Sequence, residues 1–246
     1  MNNTRFETRM REGERFHALR LPPDVWPIIR VDGHGFSRFT QTHYQKPFDP
    51  AFHDAMIETA RTLLRDLSGV YAYTQSDEIS VLLPRDWAMF GRQVEKLVSL
   101  SAGVASATWT RFSGHAAHFD SRVWLGEETS VCDYFRWRQA DGERNALNGW
   151  CYWTLRNRGA SVQNATRALE GTLPDAKRAL LIQHDIDFDQ TPAWQRHGAG
   201  LSWEDYEKTG FNPVANETVS ATRRRIRVDE NLPQGEAFAS LIEKML

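Results

Sequence analysis

Three acidic side chains fall where the chain changes direction, and their type and spacing could hold a divalent cation. Asp32 ends an apolar, β-branched segment, and Asp77 and Glu78 lie between two further apolar segments. Mg²⁺ prefers carboxylate oxygens, and two such ions about 4 Å apart can activate a hydroxyl and stabilise a leaving pyrophosphate. Neighbouring residues of a regular strand face opposite sides, so both Asp77 and Glu78 reach a metal only if the chain turns there. Acids at such positions are also ordinary turn residues.

The segment after Asp32 could bind phosphate. Residues 32–37 read Asp-Gly-His-Gly-Phe-Ser, and a glycine lets a phosphate approach closely because it carries no Cβ. Backbone N–H groups in such a loop can surround a triphosphate, although the segment lacks the Gly-Lys-Ser/Thr of a Walker A loop. Lys46 follows one loop later and either neutralises a phosphate or is an ordinary solvated lysine. His34 is either a further ligand or a surface residue.

The elements around these residues alternate in a regular order. Apolar runs predict strands at residues 25–31, 70–74, 79–83 and 118–125. Apolar positions spaced by 3.6 residues predict helices at 50–68 and 90–108. The order β-α-β-β-α-β is the split βαβ arrangement, an α+β fold in which an antiparallel four-stranded sheet carries two helices on one face. Its first and third strands are central neighbours, so the three acids are expected to meet at one end of the sheet.

Beyond residue 126 the pattern changes. It is helical and rich in tryptophan, then irregular from residue 183 onward, which predicts a catalytic domain at 1–126 and a C-terminal region at 127–246 packed on it as one unit. Residues 134–158 interleave tryptophans with arginines, which either stack bases and pair phosphates of RNA or pack a core with internal ion pairs. The basic run at 223–227 is either a solvated face or a phosphate contact.

Composition excludes several classes of protein. A chain of 246 residues with 41% hydrophobic and 25% charged residues is typical of a globular protein. A net charge of −2 excludes a simple polycation that coats nucleic acid. No apolar run approaches the roughly 20 residues of a membrane helix, and the pattern of a signal peptide is missing. Cys132 and Cys151 cannot form a disulfide framework, so we expect a reducing, cytoplasmic location.

Five motifs, in order along the chain, resemble those of the tRNA(His) guanylyltransferase family and its Thg1-like relatives. Residues 32–40 resemble the family's D-G-R-x-F-x-R-F signature, residues 76–80 its S-D-E-x-S hairpin, and residues 134–141 its W-R-Q-x-D helix. Residues 169–172 resemble its L-x-G-T stretch, and residues 194–198 its W-x-R-x-G region. The resemblance runs from about residue 4 to residue 228, which is nearly the whole chain.

The resemblance implies a polymerase-palm-like domain that adds nucleotides in the 3′–5′ direction. In that family the 5′ end of a tRNA is activated as an adenylate, or arrives as a triphosphate. The 3′-hydroxyl of an incoming NTP, usually GTP, then attacks it and releases AMP or pyrophosphate. Two Mg²⁺ ions, GTP and ATP as substrates, a tRNA 5′ end as partner, a homo-tetramer and no membrane association are implied as well.

Matched motif by motif, the family also implies roles for individual residues. Asp32, the Gly33 carbonyl and Asp77 match its Mg²⁺ ligands, and Glu78 its third essential acid. Lys46 matches its triphosphate lysine and Lys96 a basic contact to the activating nucleotide. The full nucleotide-binding set consists of Asp32, Gly33, His34, Gly35, Phe36, Ser37, Lys46, Ser76, Asp77, Lys96 and Asn145.

Two departures from the family pattern bear on the substrate. Where the family reads H-I-N-N-L-Y-N, residues 143–149 read Glu-Arg-Asn-Ala-Leu-Asn-Gly, and His34 replaces the usual arginine after Gly33. Losing the histidine puts tRNA(His) identity in doubt, so templated repair of RNA 5′ ends is favoured over strict addition of one guanosine to tRNA(His). Two alternatives stay open: other nucleotidyltransferase or cyclase chemistry without RNA, and an RNA-binding module that has lost catalysis.

Overall fold

The computed structural model describes residues 3–212 and 216–246, and its centre is one antiparallel sheet. Within this described part the sheet has six strands in the order β4-β1-β3-β2-β5-β6. The strands are β1 (Trp26–Gly33), β2 (Tyr71–Gln75), β3 (Glu78–Leu82), β4 (Phe119–Gly126), β5 (Ala199–Asn212) and β6 (Glu217–Asp229). The predicted β-α-β-β-α-β order is confirmed for the first four strands, and β1 is indeed the neighbour of β3.

The helices of the described chain flank this sheet or extend from it. They are α1 (Asn3–Arg11), α2 (Phe36–His43), α3 (Pro50–Asp66), α4 (Val94–Ser113), α5 (Glu128–Asn157), α6 (Val162–Leu169), α7 (Pro174–Ile182), α8 (Ala193–His197) and α9 (Glu236–Glu243). Short 3₁₀ turns lie at Met89–Arg92 and Phe188–Gln190. Among the residues described, no helix is both long enough and apolar enough to cross a membrane.

Helices α3 and α4 cover one face of the sheet, as the sequence predicts. Pro50 starts α3, and the Asp49 carboxylate accepts a hydrogen bond from the Ala51 N–H, which satisfies a free donor of the first turn. The apolar side of α3, including Leu63 and Leu64, packs with β1 and β3 in the largest core. This core fixes the sheet end at which β1 stops.

The opposite face is covered by α5 and α9 from the C-terminal region. Phe135 of α5 and Phe238 of α9 pack with Ile28, Tyr71 and Tyr73 in a second core. The central strand β1 is therefore buried on both faces, which accounts for its continuous apolar run. A third, smaller core joins α5 to α6 and α7.

The prediction of an irregular chain from residue 183 onward is wrong. Strands β5 and β6 pair over 13 positions, from Gly200 opposite Asp229 to Asn212 opposite Glu217, and β5 extends the sheet beside β2. We call the part of this pair that extends beyond β2, residues 203–212 and 216–226, the arm. Most of β6 is solvent-exposed, so its two faces carry no apolar alternation that would have indicated a strand.

Candidate active site

The three predicted acids converge where β1 ends and the β2–β3 hairpin turns. Asp32 lies directly opposite Glu78 in the β1–β3 pairing. The Gly33 N–H donates a hydrogen bond of 3.1 Å to the Asp77 carbonyl, which ties the turn to the end of β1. Ser76 has a positive φ of 54°, so the chain does turn between β2 and β3. Asp77 thus lies in the turn itself and not on the strand, which removes the alternation that would separate it from Glu78.

Burial and repulsion between carboxylates both favour the neutral forms of Asp32 and Asp77. Burial, followed by repulsion from Asp32, raises the pKa of Asp77 to about 6. Burial and then repulsion from Asp120 likewise raise the pKa of Asp32. Asp120 was missed in the sequence; it lies on β4 directly opposite Asp32 and pairs with Arg122 at 2.7 Å. Half-buried carboxylates that repel one another provide a place for a cation.

The donor set fits Mg²⁺ in its chemistry. The Asp32 and Asp77 carboxylates and the Gly33 carbonyl are hard oxygen donors of the type that this ion takes. Within the described residues, no group of three or more His, Cys, Asp or Glu side chains is arranged to hold a metal, so water or substrate phosphates would complete the coordination. A Cβ on Gly33 would lie 2.4 Å from the Phe36 ring, and glycine is therefore required at this point.

Glu78 has a different environment from the two aspartates. Arg138 of α5 donates to both of its carboxylate oxygens at 2.7 Å, from Nε and from Nη2. A second cation is near, since the Arg30 Nε lies 3.9 Å from the Glu78 Oε2. Burial is the largest influence on the pKa of Glu78 and raises it, against the lowering effect of Arg138. Arg138 belongs to the motif at residues 134–141, but its contact with Glu78, 60 residues earlier in the chain, is supplied by the fold.

The segment after Gly33 presents a helix N-terminus beside the acids. Gly35 takes a left-handed conformation with φ of 72°, and α2 starts at the next residue. The free N–H groups and the positive end of a helix dipole bind anions, which suits a phosphate. His34, Gly35 and Ser37 are exposed. The side chain of Phe36 is buried against Trp109 and Phe119 and anchors the start of α2 in the core.

A cavity of about 370 Å³ adjoins the turn on the side of α2. Lys46, Ser37, Ser76 and Asp77 line it together with the aromatic residues Phe36, Tyr44, Phe48, Phe52, Tyr152, Trp153 and Trp194. The Lys46 Nζ donates a hydrogen bond of 2.5 Å to the Thr40 hydroxyl. Burial lowers the pKa of Lys46, and the Asp77 carboxylate opposes that shift. The cavity thus combines a cation, a helix N-terminus and aromatic walls.

A second cavity of about 360 Å³ lies on the other side of the turn, against α5. It is lined by Asp32, Asp77, Glu78, Arg138, Asp141 and Asn145, among others. The structure therefore brings Lys46 and Asn145 to opposite sides of the same turn. Lys96 is the exception among the predicted residues. Lys96 is exposed near the start of α4. The other end of α4 is the one near the acids, because the chain continues from there into β4, whose first residue, Phe119, pairs with Gly33.

Close carboxylates beside a helix N-terminus, with a half-buried lysine between aromatic walls, define a class of site that handles nucleotide phosphates. Two family models match the chain, one described as tRNAHis guanylyltransferase at residues 7–127 and one as the Thg1 C terminal domain at residues 129–236. The chain belongs to the tRNAHis guanylyltransferase family, and it is a nucleotidyltransferase.

Individual relatives agree with this assignment. A probable tRNA(His) guanylyltransferase of Drosophila melanogaster is 34% identical over 192 residues, which cover 73% of this chain and 67% of that protein. A tRNA(His) guanylyltransferase of Debaryomyces hansenii is 30% identical over 250 residues, covering 94% of this chain and 93% of the relative. A bacterial Thg1-like protein solved in complex with GTP superimposes with a TM-score of 0.78 at 26% identity, over 98% of both chains. Its complex with ATP gives a TM-score of 0.76.

Proposed function

We propose that this chain adds nucleotides to the 5′ end of tRNA in the 3′–5′ direction, as a Thg1-like enzyme that repairs or extends that end on a template. The observation that carries the proposal is the turn at Asp77, which has a nucleotide-sized cavity on each side. Such a reaction needs two substrates next to one pair of carboxylates: an NTP with its triphosphate, and the 5′ end that is to be extended. The similarity to a bacterial Thg1-like protein in complex with GTP and with ATP supports both nucleotides as substrates.

Each residue of the site has a part in this chemistry. Asp32 and Asp77, with the Gly33 carbonyl, would hold Mg²⁺, which supplies positive charge to the triphosphate and activates the attacking 3′-hydroxyl when bound. Lys46 neutralises phosphate in the first cavity, and the N-terminus of α2 donates N–H groups to it. The aromatic walls of that cavity exclude water and can stack a nucleobase.

The departures from the family pattern support templated repair over strict tRNA(His) guanylylation. Glu143, which stands where the family has histidine, is ion-paired with Arg178 of α7 at 3.1 Å and does not line the second cavity. Asn145, which is retained, does line that cavity. The second cavity therefore keeps the family's contact to the reacting end without its histidine.

We also propose that the chain works as a homo-tetramer. Several large apolar side chains are exposed on α1, on the segment after it and on α4, namely Phe6, Met10, Phe16, Leu19, Leu100 and Phe112. Large exposed apolar side chains are typical of surfaces that bind another protein. The cytoplasmic location stays a prediction from the sequence.

Incubation with Mg²⁺ and labelled GTP, with and without tRNA, tests the proposed reaction. We expect label at the 5′ end of the RNA and no product in its absence, with Asp77→Asn as the blank. A GTP-derived product that forms without RNA would support the nucleotide-only alternative. RNA binding without any product would support the binding module.

A further inference from the structure

The third acid of the site is held by an arginine from the other half of the chain. Arg138 and Glu78 form a fork-to-fork pair in which two guanidinium nitrogens each lie 2.7 Å from one carboxylate oxygen. The side chains are only 12% and 15% exposed, so solvent screens the pair weakly. Bidentate pairs of this kind are the strongest and most directional hydrogen-bonded ion pairs in proteins.

This pairing limits what Glu78 can do. Both of its oxygens accept from Arg138, and Oε2 also has Arg30 nearby at 3.9 Å. A metal bound through Glu78 would have to share an oxygen with Arg138, which would place two cations against one carboxylate. Asp77, in contrast, has no cationic partner among the described ion pairs, and repulsion from Asp32 raises its pKa. The adjacent acids therefore have different electrostatic partners.

The arginine is itself fixed by its own helix. Asp141, one turn further along α5, accepts from the Arg138 Nη2 at 3.1 Å, and the Trp137 ring lies 4.5 Å from the guanidinium carbon. Gly142 comes next on the same face, so close to the hairpin that a Cβ there would lie 2.7 Å from the Gln75 side chain. Helix α5 thus touches both strands of the hairpin, at Gln75 and at Glu78.

We propose that Arg138 is a positioning residue: it clamps Glu78 so that α5 sets the position of the Asp77 turn, and Glu78 acts through this clamp and not as a metal ligand. The proposal deepens the proposed function and rests on it. Loss of the Arg138–Glu78 pair keeps both aspartate side chains, but the turn that carries Asp77 is then held less firmly. The chemical step is then affected more than the binding of metal or nucleotide.

A double-mutant cycle tests this proposal with Arg138→Gln, Glu78→Gln and the variant that carries both. Arg136→Gln is the matched control, because Arg136 lies on the same helix but pairs with Asp133 and Glu236. Two quantities are measured on the full chain: kcat and KM for GTP in 5′-end addition, and the Kd for Mn²⁺ without RNA, by quenching of its paramagnetic resonance signal. Asp77→Asn provides the reference for a lost metal ligand.

We expect each single change to lower kcat about tenfold or more, with smaller changes in KM, and the double variant to be no worse than the poorer single one. Arg138→Lys, which keeps the charge but not the fork, is expected to restore only part of kcat. The Mn²⁺ affinity is expected to stay within about twofold of wild type in Glu78→Gln and to fall about tenfold or more in Asp77→Asn. A Glu78→Gln protein that loses Mn²⁺ affinity as Asp77→Asn does, or kcat losses that multiply, would overturn the proposal.

The two measurements separate this proposal from the proposed function. If no RNA is extended by wild type, the proposed reaction fails, while the Mn²⁺ titration still distinguishes Glu78 from Asp77. If wild type binds no Mn²⁺, the coupling between Arg138 and Glu78 is read from the free energy of unfolding of the same four proteins. Additive unfolding energies would then overturn the clamp.

Discussion

Asp32 and Glu78 lie directly opposite each other on the antiparallel strands β1 and β3, although 45 residues separate them in the chain. This pairing places the turn at the end of β1, because Asp77 is the turn residue that directly precedes Glu78. The cross-strand bond from the Gly33 N–H to the Asp77 carbonyl then fixes the turn against the end of β1. Backbone pairing thereby holds the Asp32 and Asp77 carboxylates at the same end of the sheet.

The first prediction concerns stability without metal. Because the pKa of Asp77 is about 6 in the folded protein and 3.8 in the unfolded chain, folding favours its protonated form. This group's stabilising contribution is present below pH 3.8 and is lost as the pH rises through 6. Asp77→Asn is therefore expected to stabilise the metal-free protein near pH 7, by at most about 3 kcal/mol.

Urea unfolding in the presence of a chelator measures this effect. The stability advantage of Asp77→Asn over wild type should shrink as the pH falls from about 7 towards 4. A stability advantage that does not depend on pH would contradict the raised pKa of Asp77 in the folded protein. Asp54→Asn, at an exposed aspartate of α3 away from the turn, serves as the control for the loss of a carboxylate.

A second prediction concerns the close contact at Gly33. In Gly33→Ala the new methyl group would overlap the Phe36 ring, which is buried among Trp109 and Phe119, so the free energy of unfolding should fall by about 1–3 kcal/mol. Gly103→Ala is the control, since Gly103 lies on α4 with nothing within 4 Å of its missing Cβ. That change should be neutral or stabilise by up to about 1 kcal/mol. Equal effects of the two changes would argue against a tight turn at Gly33.

A third prediction concerns the cation of the first cavity. Lys46→Met keeps the apolar stem but removes the charge, and kcat/KM for GTP should fall about 10- to 100-fold because a charged hydrogen bond to phosphate is lost. Lys177→Met is the matched change, since Lys177 is partly buried on α7 and its Nζ bonds only Asn148 among the described side chains. Steady-state kinetics at varied GTP distinguish the two. An unchanged kcat/KM in Lys46→Met would place the triphosphate elsewhere.

A fourth prediction concerns the arm. Arg223 and Arg224 are exposed on β6, and Arg224 is held over the Trp203 ring at 4.8 Å. If the arm contacts the RNA backbone, changing both to glutamine weakens tRNA binding and reduces the slope of log K against log salt by about one per arginine. Binding measured at several salt concentrations gives that slope. An unchanged slope would mean that the basic run is a solvated face.

The sequence predicts those helices and strands that bury at least one face in a core. Strands β1 to β4 and helices α3 and α4 have clear apolar periods, and their predicted bounds differ from the observed ones by only a few residues. The arm has no buried face along most of β6, so its sequence lacks the apolar alternation that would indicate a strand. Its strand structure depends on pairing with β5, which the local sequence does not show.

The candidate site divides in the same way. Asp32, Asp77 and Lys46 are local features of turns and motifs, so the sequence alone singles them out as candidates. Asp120 and Arg138 act through cross-strand register and through a helix docked from the other half of the chain. Those contacts exist only after the sheet and α5 have packed together. Lys96 shows the converse, since a motif position does not guarantee proximity to the acids within one chain.

Extension of a series of tRNAs that lack one, two or three 5′ nucleotides tests the central claim most directly. The reaction contains Mg²⁺ and all four NTPs, with ATP also available to activate the 5′ end. We expect wild type to add as many nucleotides as are missing, each complementary to the opposite strand. Asp77→Asn is expected to add none. Addition of a single guanosine to tRNA(His) alone, whatever the template, would contradict templated repair. The absence of any extension on every RNA would contradict 3′–5′ addition itself.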